Sequence, residues 1–166
     1  MTAEQHDEPK VTLMLPGEWI SARPDDTSTV TKIQALAGDH GPAIASLFER
    51  SAAAGAVLLM FRVRSSPPVL LSVTWPRTGS ADRAATDAPP QVRSDGVAIE
   101  HAAGYPCART RESSDDPYTD ALTYALTHPE TGRLLVVRVV AFEESFDDLD
   151  VADYDLAVTQ LTWEER

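Results

Sequence analysis

The fold class is decided by the stretch Leu134–Phe142, whose sequence is LLVVRVVAF. Eight of its nine residues are apolar and four are valine, so the stretch has the composition of a β-strand. It lacks the alternation of polar and apolar residues that marks a half-exposed strand, and such a run is typical of a strand buried on both faces. We therefore predict that it lies in the centre of a sheet, with other elements covering both sides.

Further strand-like segments predict that this sheet is antiparallel. Residues 121–128 precede the central strand and are separated from it by Pro129-Glu130-Thr131-Gly132, a composition that fits the β-turn of a hairpin. The other predicted strands are residues 11–15, 57–63, 69–75, 96–101 and 105–110. The sequence thus predicts about six to seven strands.

Three segments have apolar residues at helical spacing. The first follows several N-cap candidates at residues 25–28, and the second begins at Pro42. Gly38 and Gly41 interrupt these two segments, so two helices and one bent helix both remain open. The third segment covers residues 149–161, with its acids largely on the side away from one apolar stripe. That stripe consists of Val151, Tyr154, Val158 and Leu161. The elements predict an α+β fold, with an antiparallel sheet flanked by two early helices and one C-terminal helix.

The length of 166 residues is that of one domain. Residues 76–95 contain three prolines and only one strongly apolar residue, Val92, which predicts a mobile loop. Neither flanking half has enough elements for a domain of its own, so we predict a single domain over residues 1–166.

The chain is strongly acidic, with 26 Asp and Glu against 14 Lys and Arg and a formal net charge of −12. Residues 139–165 contain nine acids and no Lys or Arg. Such a field repels phosphate backbones and anionic lipids, which argues against nucleic-acid and membrane partners. The acidity is explained either by solubility alone or by docking to a basic protein partner.

No residue pattern indicates a catalytic centre, so we predict that the protein is not an enzyme and has no cofactor. Cys107 is the only cysteine, with His101 and His128 as candidate bases, but a lone cysteine in a strand is typical of a small core residue. The four histidines lack metal-ligand spacing, and the acids at residues 147–150 lack the glycine and glutamate of a calcium loop. We therefore predict no metal site.

A cytoplasmic location is the simplest expectation. The first ten residues are polar and acidic and do not have the pattern of a secretory signal. No apolar run reaches the roughly 18 residues that a membrane span needs.

Short motifs at the two ends of the chain are informative about its family. Residues 13–19, LMLPGEW, give a strand followed by Pro, Gly and Trp. Residues 133–142 and 154–163, RLLVVRVVAF and YDLAVTQLTW, give a strand, an acidic gap and a helix leading to a Leu-x-Trp tail. This pattern resembles the PsbP-like (Mog-type) proteins, in particular small uncharacterised actinobacterial proteins found near type VII secretion genes. The resemblance implies an antiparallel sheet between helices and the binding of partners rather than catalysis, and it transfers no catalytic residue.

The sequence predicts a non-enzymatic, cytoplasmic protein-binding module whose oligomeric state is left open. Its role is either that of a secretion-accessory or chaperone-like factor, or that of an immunity-type protein that neutralises a basic toxin. The alternative is a small-ligand-binding protein with a pocket between the sheet and the N-terminal helices. The residues predicted to contact a basic protein partner are Glu143, Glu144, Asp147, Asp148, Asp150, Asp153 and, as an aromatic anchor, Trp163.

Overall fold

The strand predicted at Leu134–Phe142 is present as the middle strand of the main sheet. The structure is a computed structural model that describes residues 10–62, 68–75, 96–115, 118–128 and 131–164. Its elements in chain order are β1 (Lys10–Thr12), β2 (Trp19–Ala22), α1 (Thr27–Leu36), a 3₁₀ turn (Gly38–His40), α2 (Gly41–Ala53), β3 (Ala56–Arg62), β4 (Val69–Thr74), β5 (Val97–Glu100), β6 (Pro106–Asp115), β7 (Tyr118–Thr127), β8 (Leu134–Phe142), α3 (Asp148–Thr159) and β9 (Thr162–Glu164).

Within the described residues the main sheet has seven antiparallel strands in the order β2-β3-β4-β8-β7-β6-β5. β8 is the fourth strand from either edge, and Val137 at its middle lies opposite Val73 of β4 and Tyr124 of β7. The two neighbours of β8 come from different halves of the chain, so both halves contribute to one sheet. The prediction of a central strand is confirmed.

Successive residues of a strand point to opposite faces of the sheet. The apolar residues of the strands therefore belong to two separate clusters, one on each face. On one face α1 and α2 pack against the sheet, with Ile33 in the same cluster as Leu70. On the other face α3 packs against it, with Tyr154 and Val158 in the same cluster as Val137. These three layers confirm the predicted α+β class, with an antiparallel sheet flanked by two early helices and one C-terminal helix.

α1 and α2 are two helices joined by the 3₁₀ turn, and not one bent helix. Asp26 caps α1, because its side chain accepts a hydrogen bond at 3.1 Å from the backbone N–H three residues further on. Gly38 has a φ of +56°, a conformation that glycine adopts without steric cost. At the start of α2, a Cβ atom on Gly41 would lie 3.0 Å from the backbone oxygen of Gln34. The close approach of the two helices therefore favours glycine at position 41, because a side chain there would have to push the backbone of Gln34 away.

Two short strands, β2 and β9, were not among the predicted elements. β2 forms one edge of the main sheet, where Trp19 lies opposite Arg62 of β3. β9 follows α3 directly and pairs with β1 as a separate two-stranded sheet, with Lys10 opposite Glu164.

The mobile loop predicted at residues 76–95 lies outside the described residues. Within the described ranges, no helix combines the length and the apolar character needed to cross a membrane.

Candidate functional site

The start of α3 is built from two of the acids that the sequence assigned to partner binding. The side chain of Asp147 accepts a hydrogen bond from the backbone N–H of Asp150 at 2.8 Å. The side chain of Asp150 in turn accepts one from the backbone N–H of Asp147 at 3.4 Å. This capping box satisfies backbone donors that the first turn of a helix leaves without partners, and negative charge there suits the helix dipole. Asp147 and Asp150 thus have a structural role.

The acids on the sides of α3 that approach the sheet are neutralised by arginines of the sheet. Asp150 lies 3.7 Å from Arg62 of β3, measured from carboxylate oxygen to guanidinium nitrogen. Asp155 forms an ion pair with Arg109 of β6 and accepts a hydrogen bond at 2.8 Å from the hydroxyl of Tyr124. α3 is therefore held by a charge pair on each side, one to β3 and one to β6.

Glu143 also has a partner within the fold. Its carboxylate lies 3.5 Å from Nε2 of His40 in the 3₁₀ turn. Its φ of +65° falls in the left-handed region, which residues other than glycine rarely adopt. Glu143 lies at the turn where the chain leaves β8, and this backbone turn directs the chain towards α3.

The remaining predicted acids, Glu144, Asp148 and Asp153, are exposed. Among the described residues none of these three forms an ion pair with a basic side chain. They are exposed acids at and before α3 that no ion pair in the described part of the chain neutralises, although the charge of Asp148 also acts on Arg111. We call these three residues the acidic rim.

Two leucines lie on the outward face of α3 beside the acidic rim. Leu149 is 77% exposed and Leu156 is 58% exposed. They are seven residues apart and therefore on one line along the helix, and Leu156 is rotated about 160° from the buried Tyr154. From the sequence we predicted mainly acids on this outward face. The apolar pair belongs to the same surface, and a helical projection of residues 149–161 would have identified it. We call Leu149 and Leu156 the leucine ridge.

Trp163 does not provide the exposed aromatic anchor that the sequence predicted. Its side chain is only 5% exposed, because β9 directs it under the α3 side of the sheet. Its ring stacks on His128 with a centroid distance of 5.3 Å and meets Trp75 edge-on at 5.5 Å. The expectation that Trp163 contacts a partner is therefore wrong, because the ring is part of the core.

An open cleft of about 350 Å³ lies beside the start of α3. It is lined by Arg111, Ser113, Tyr118, Asp120 and Ser145. This polar cleft is on the α3 side of the sheet, whereas the pocket predicted from the sequence was on the side of α1 and α2. The guanidinium of Arg111 is already hydrogen-bonded to Asp120 and to the backbone oxygen of Phe146, so the main charges of the cleft are paired.

The thiol of Cys107 is buried, and this burial raises its pKa to about 11, with the negative charge of Asp155 contributing. The candidate base His101 is also buried, and both of its ring nitrogens are engaged. Nδ1 accepts a hydrogen bond at 3.1 Å from the backbone N–H of Ala103, so Nε2 carries the proton and donates to the backbone oxygen of Leu161 at 2.9 Å. The thiol is thus held in its protonated form, and the imidazole fastens the β5–β6 turn to the end of α3.

Within the described ranges, no three His, Cys, Asp or Glu side chains are grouped to hold a metal ion.

Comparisons with known proteins give little similarity. No family model matches the chain, and no curated protein matches it. Among solved structures the chain is similar to LpqN of Mycobacterium tuberculosis, described as involved in cell envelope biogenesis. That similarity covers 96% of this chain and 86% of LpqN, with 13% sequence identity and a TM-score of 0.48. At this level nothing about function is transferred from LpqN, and the resemblance to PsbP-like proteins stays a prediction.

Proposed function

We propose that this chain is a non-enzymatic protein-binding module that docks a basic protein partner through the acidic rim. The observation that carries this proposal is the division of the acids around α3 into two groups. Asp150 and Asp155 are paired with arginines of the sheet, whereas Asp148 and Asp153 of the same helix face solvent. The acids of the first group form ion pairs within the fold, whereas those of the second group form none among the described residues and are exposed to another molecule.

Charge of this kind acts mainly on the rate of encounter. A surface of one sign attracts a partner of the opposite sign over about a Debye length, so association is fast at low ionic strength and slows as salt is added. The overall charge of −12 acts in the same direction and disfavours acidic partners. We expect the association rate constant with the partner to fall as the salt concentration rises.

The experiment compares charge reversal on the rim with charge reversal on the opposite side of the sheet. Asp148→Lys with Asp153→Lys is the test variant. Asp39→Lys with Glu49→Lys is the matched control, since both control residues are exposed and lie on the layer of α1 and α2. Proteins retained from the native lysate by the wild type are identified, and their association rates are then measured with all three proteins.

The proposal predicts that the test variant associates about tenfold more slowly with the retained partner, while the control stays close to the wild type. Equal rates for the test variant and the wild type would show that the rim has no part in binding. Equal slowing by both variants would indicate a response to net charge alone.

Within this proposal the protein is either a secretion-accessory or chaperone-like factor or an immunity-type protein that neutralises a basic toxin. A retained partner that is a secreted basic protein favours the second role, and a component of a secretion apparatus favours the first. The cytoplasmic location is also proposed, and subcellular fractionation of the native cells tests it directly.

A further inference from the structure

α3 has apolar residues on two opposite faces. Tyr154 and Val158 are buried against the sheet, while Leu149 and Leu156 form the leucine ridge on the outer face. A helix that packs on one side against a core and meets water on the other has mainly polar residues on the outer side. Apolar residues on two opposite faces are found in helices that are covered on both sides, and among the described residues nothing covers Leu149 and Leu156.

We propose that the leucine ridge is the docking site for an amphipathic helix of a protein partner, with leucine-like residues on the contacting face and Lys or Arg along the edges. The proposal rests on the proposed function, because it assigns the centre of the same surface whose charges steer the partner. The ridge supplies the apolar contact, and the acidic rim supplies the charges that flank it.

The spacing of the ridge selects a helical occupant. Seven residues along an α-helix correspond to about 10.5 Å and about two turns, which is the heptad repeat of side chains in paired helices. Leu149 and Leu156 would each enter a hollow between side chains of a neighbouring helix that runs along α3. Twelve residues give a contact about 18 Å long, which is small for an interface, so the expected affinity is in the micromolar range.

The charges around the ridge determine the chemistry of the occupant. By helical rotation, Asp148 and Asp153 lie on opposite sides of the line that joins the two leucines, so both edges of the ridge are negative. A second copy of this chain would bring the same acids face to face, which is unfavourable in a protein with a net charge of −12. A partner helix with basic edges places opposite charges at both sides and leaves the centre for apolar contact.

The test uses a synthetic amphipathic helical peptide with leucines on one face and lysines along its edges. Its two controls are a peptide of the same composition in scrambled order, which has no apolar face, and a peptide with Glu in place of Lys. Binding to the full chain is measured by titration calorimetry at near-physiological ionic strength. The proposal predicts binding of the leucine–lysine peptide and at least tenfold weaker binding of both controls.

Two double variants separate the ridge from general surface hydrophobicity. The test variant is Leu149→Ala with Leu156→Ala. The control is Met14→Ala with Leu36→Ala, whose side chains are 77% and 59% exposed and so match the two leucines closely. We expect the test variant to bind the leucine–lysine peptide about 30-fold more weakly, equivalent to about 2 kcal/mol, and the control to bind like the wild type. Alanine keeps the helix propensity high, and an unchanged unfolding midpoint verifies that the fold is intact.

The possible results distinguish this inference from the proposed function. If Leu149→Ala with Leu156→Ala binds the leucine–lysine peptide normally while Asp148→Lys with Asp153→Lys binds it weakly, the helix-docking inference is overturned and the role of the acidic surface stands. If neither variant weakens binding, both are overturned. Equal binding of the scrambled peptide, or a dimer of the wild type in sedimentation that the leucine variant abolishes, would also overturn the inference.

Discussion

Arg111 on β6 holds Asp120 on β7 with two parallel hydrogen bonds, from Nη2 to Oδ2 at 2.6 Å and from Nε to Oδ1 at 3.1 Å. Asp120 is buried, and its carboxylate also accepts a hydrogen bond at 2.8 Å from the backbone N–H of Phe146. Arg111 donates in addition to the backbone oxygen of Phe146 at 2.7 Å. The pair therefore joins two strands to the segment that leads into α3, and it fixes where the acidic helix begins.

Replacing Asp120 with Ala should lower the free energy of unfolding by about 3 kcal/mol. The change removes three hydrogen bonds and leaves the guanidinium of Arg111 without its carboxylate. Urea denaturation measures the effect, and Asp115→Ala, at an exposed position on β6, serves as the control. A loss for Asp120→Ala no larger than that of the control would show that the pair does not stabilise the fold.

Stability should fall as the pH rises above about 9, and Cys107 should account for part of the fall. Burial raises the pKa of Cys107 from 9.0 to about 11, so between these values the unfolded thiol loses its proton while the folded one keeps it. The folded state then binds more protons than the unfolded state, and about 2 kcal/mol of the stability present below pH 9 is lost as the pH reaches 11. Burial also raises the pKa of Tyr154, to about 12, which acts in the same direction at higher pH.

The measurement is urea denaturation of the wild type and of Cys107→Ala between pH 8 and about pH 11. The variant should lose less stability over this range than the wild type, whatever its stability at pH 8. Parallel curves for the two proteins would contradict the assignment to Cys107.

Replacing Asp147 with Ala should destabilise the protein by about 1 kcal/mol, because the variant lacks the cap of α3. Asp148→Ala should change stability by less than about 0.5 kcal/mol, since this side chain is exposed and forms no ion pair among the described residues. Thermal unfolding of the two variants in parallel measures the difference. Equal effects would mean that the capping box does not stabilise α3. The comparison also matters for binding experiments, because reversing the charge of Asp147 would remove the cap of α3 as well as change the charge of the surface.

Trp163→Ala should destabilise the protein by about 3–5 kcal/mol, because it removes a large buried ring that contacts Trp75 and His128. Trp163→Phe should cost much less, about 1 kcal/mol. The buried Nε1 of Trp163 finds no acceptor among the described residues, and phenylalanine removes that unsatisfied donor while it keeps most of the ring. Chemical denaturation followed by circular dichroism compares the variants, and similar losses for both would contradict the assignment.

Several elements could be predicted from the sequence because their signals are local. The valine-rich run of β8 predicted a central strand, and Gly38 and Gly41 indicated an interruption between α1 and α2 without deciding between two helices and one bent helix. The buried stripe of α3 was correct at Tyr154 and Val158. β9 could not be predicted in this way, since three residues form a strand there only because β1, at the other end of the chain, pairs with them.

The candidate site was predictable only in part, and Asp148 and Asp155 illustrate the limit. In the sequence both are acids of one helix, and the helical period alone does not reveal that Arg109 of a distant strand neutralises Asp155. Trp163 likewise was predicted from the sequence as an aromatic anchor for a partner, whereas in the fold β9 places its ring in the core beneath the sheet.

The amino-acid sequence by itself determined the elements whose apolar periodicity is complete within one segment, together with the net negative charge and the acidic C-terminal region. Only the tertiary structure decided which acids remain outside, and that Leu149 and Leu156 have no cover from the described residues. The physical reason is that local periodicity fixes which residues share a face, whereas the charge and exposure of that face depend on side chains brought to it from distant positions in the chain.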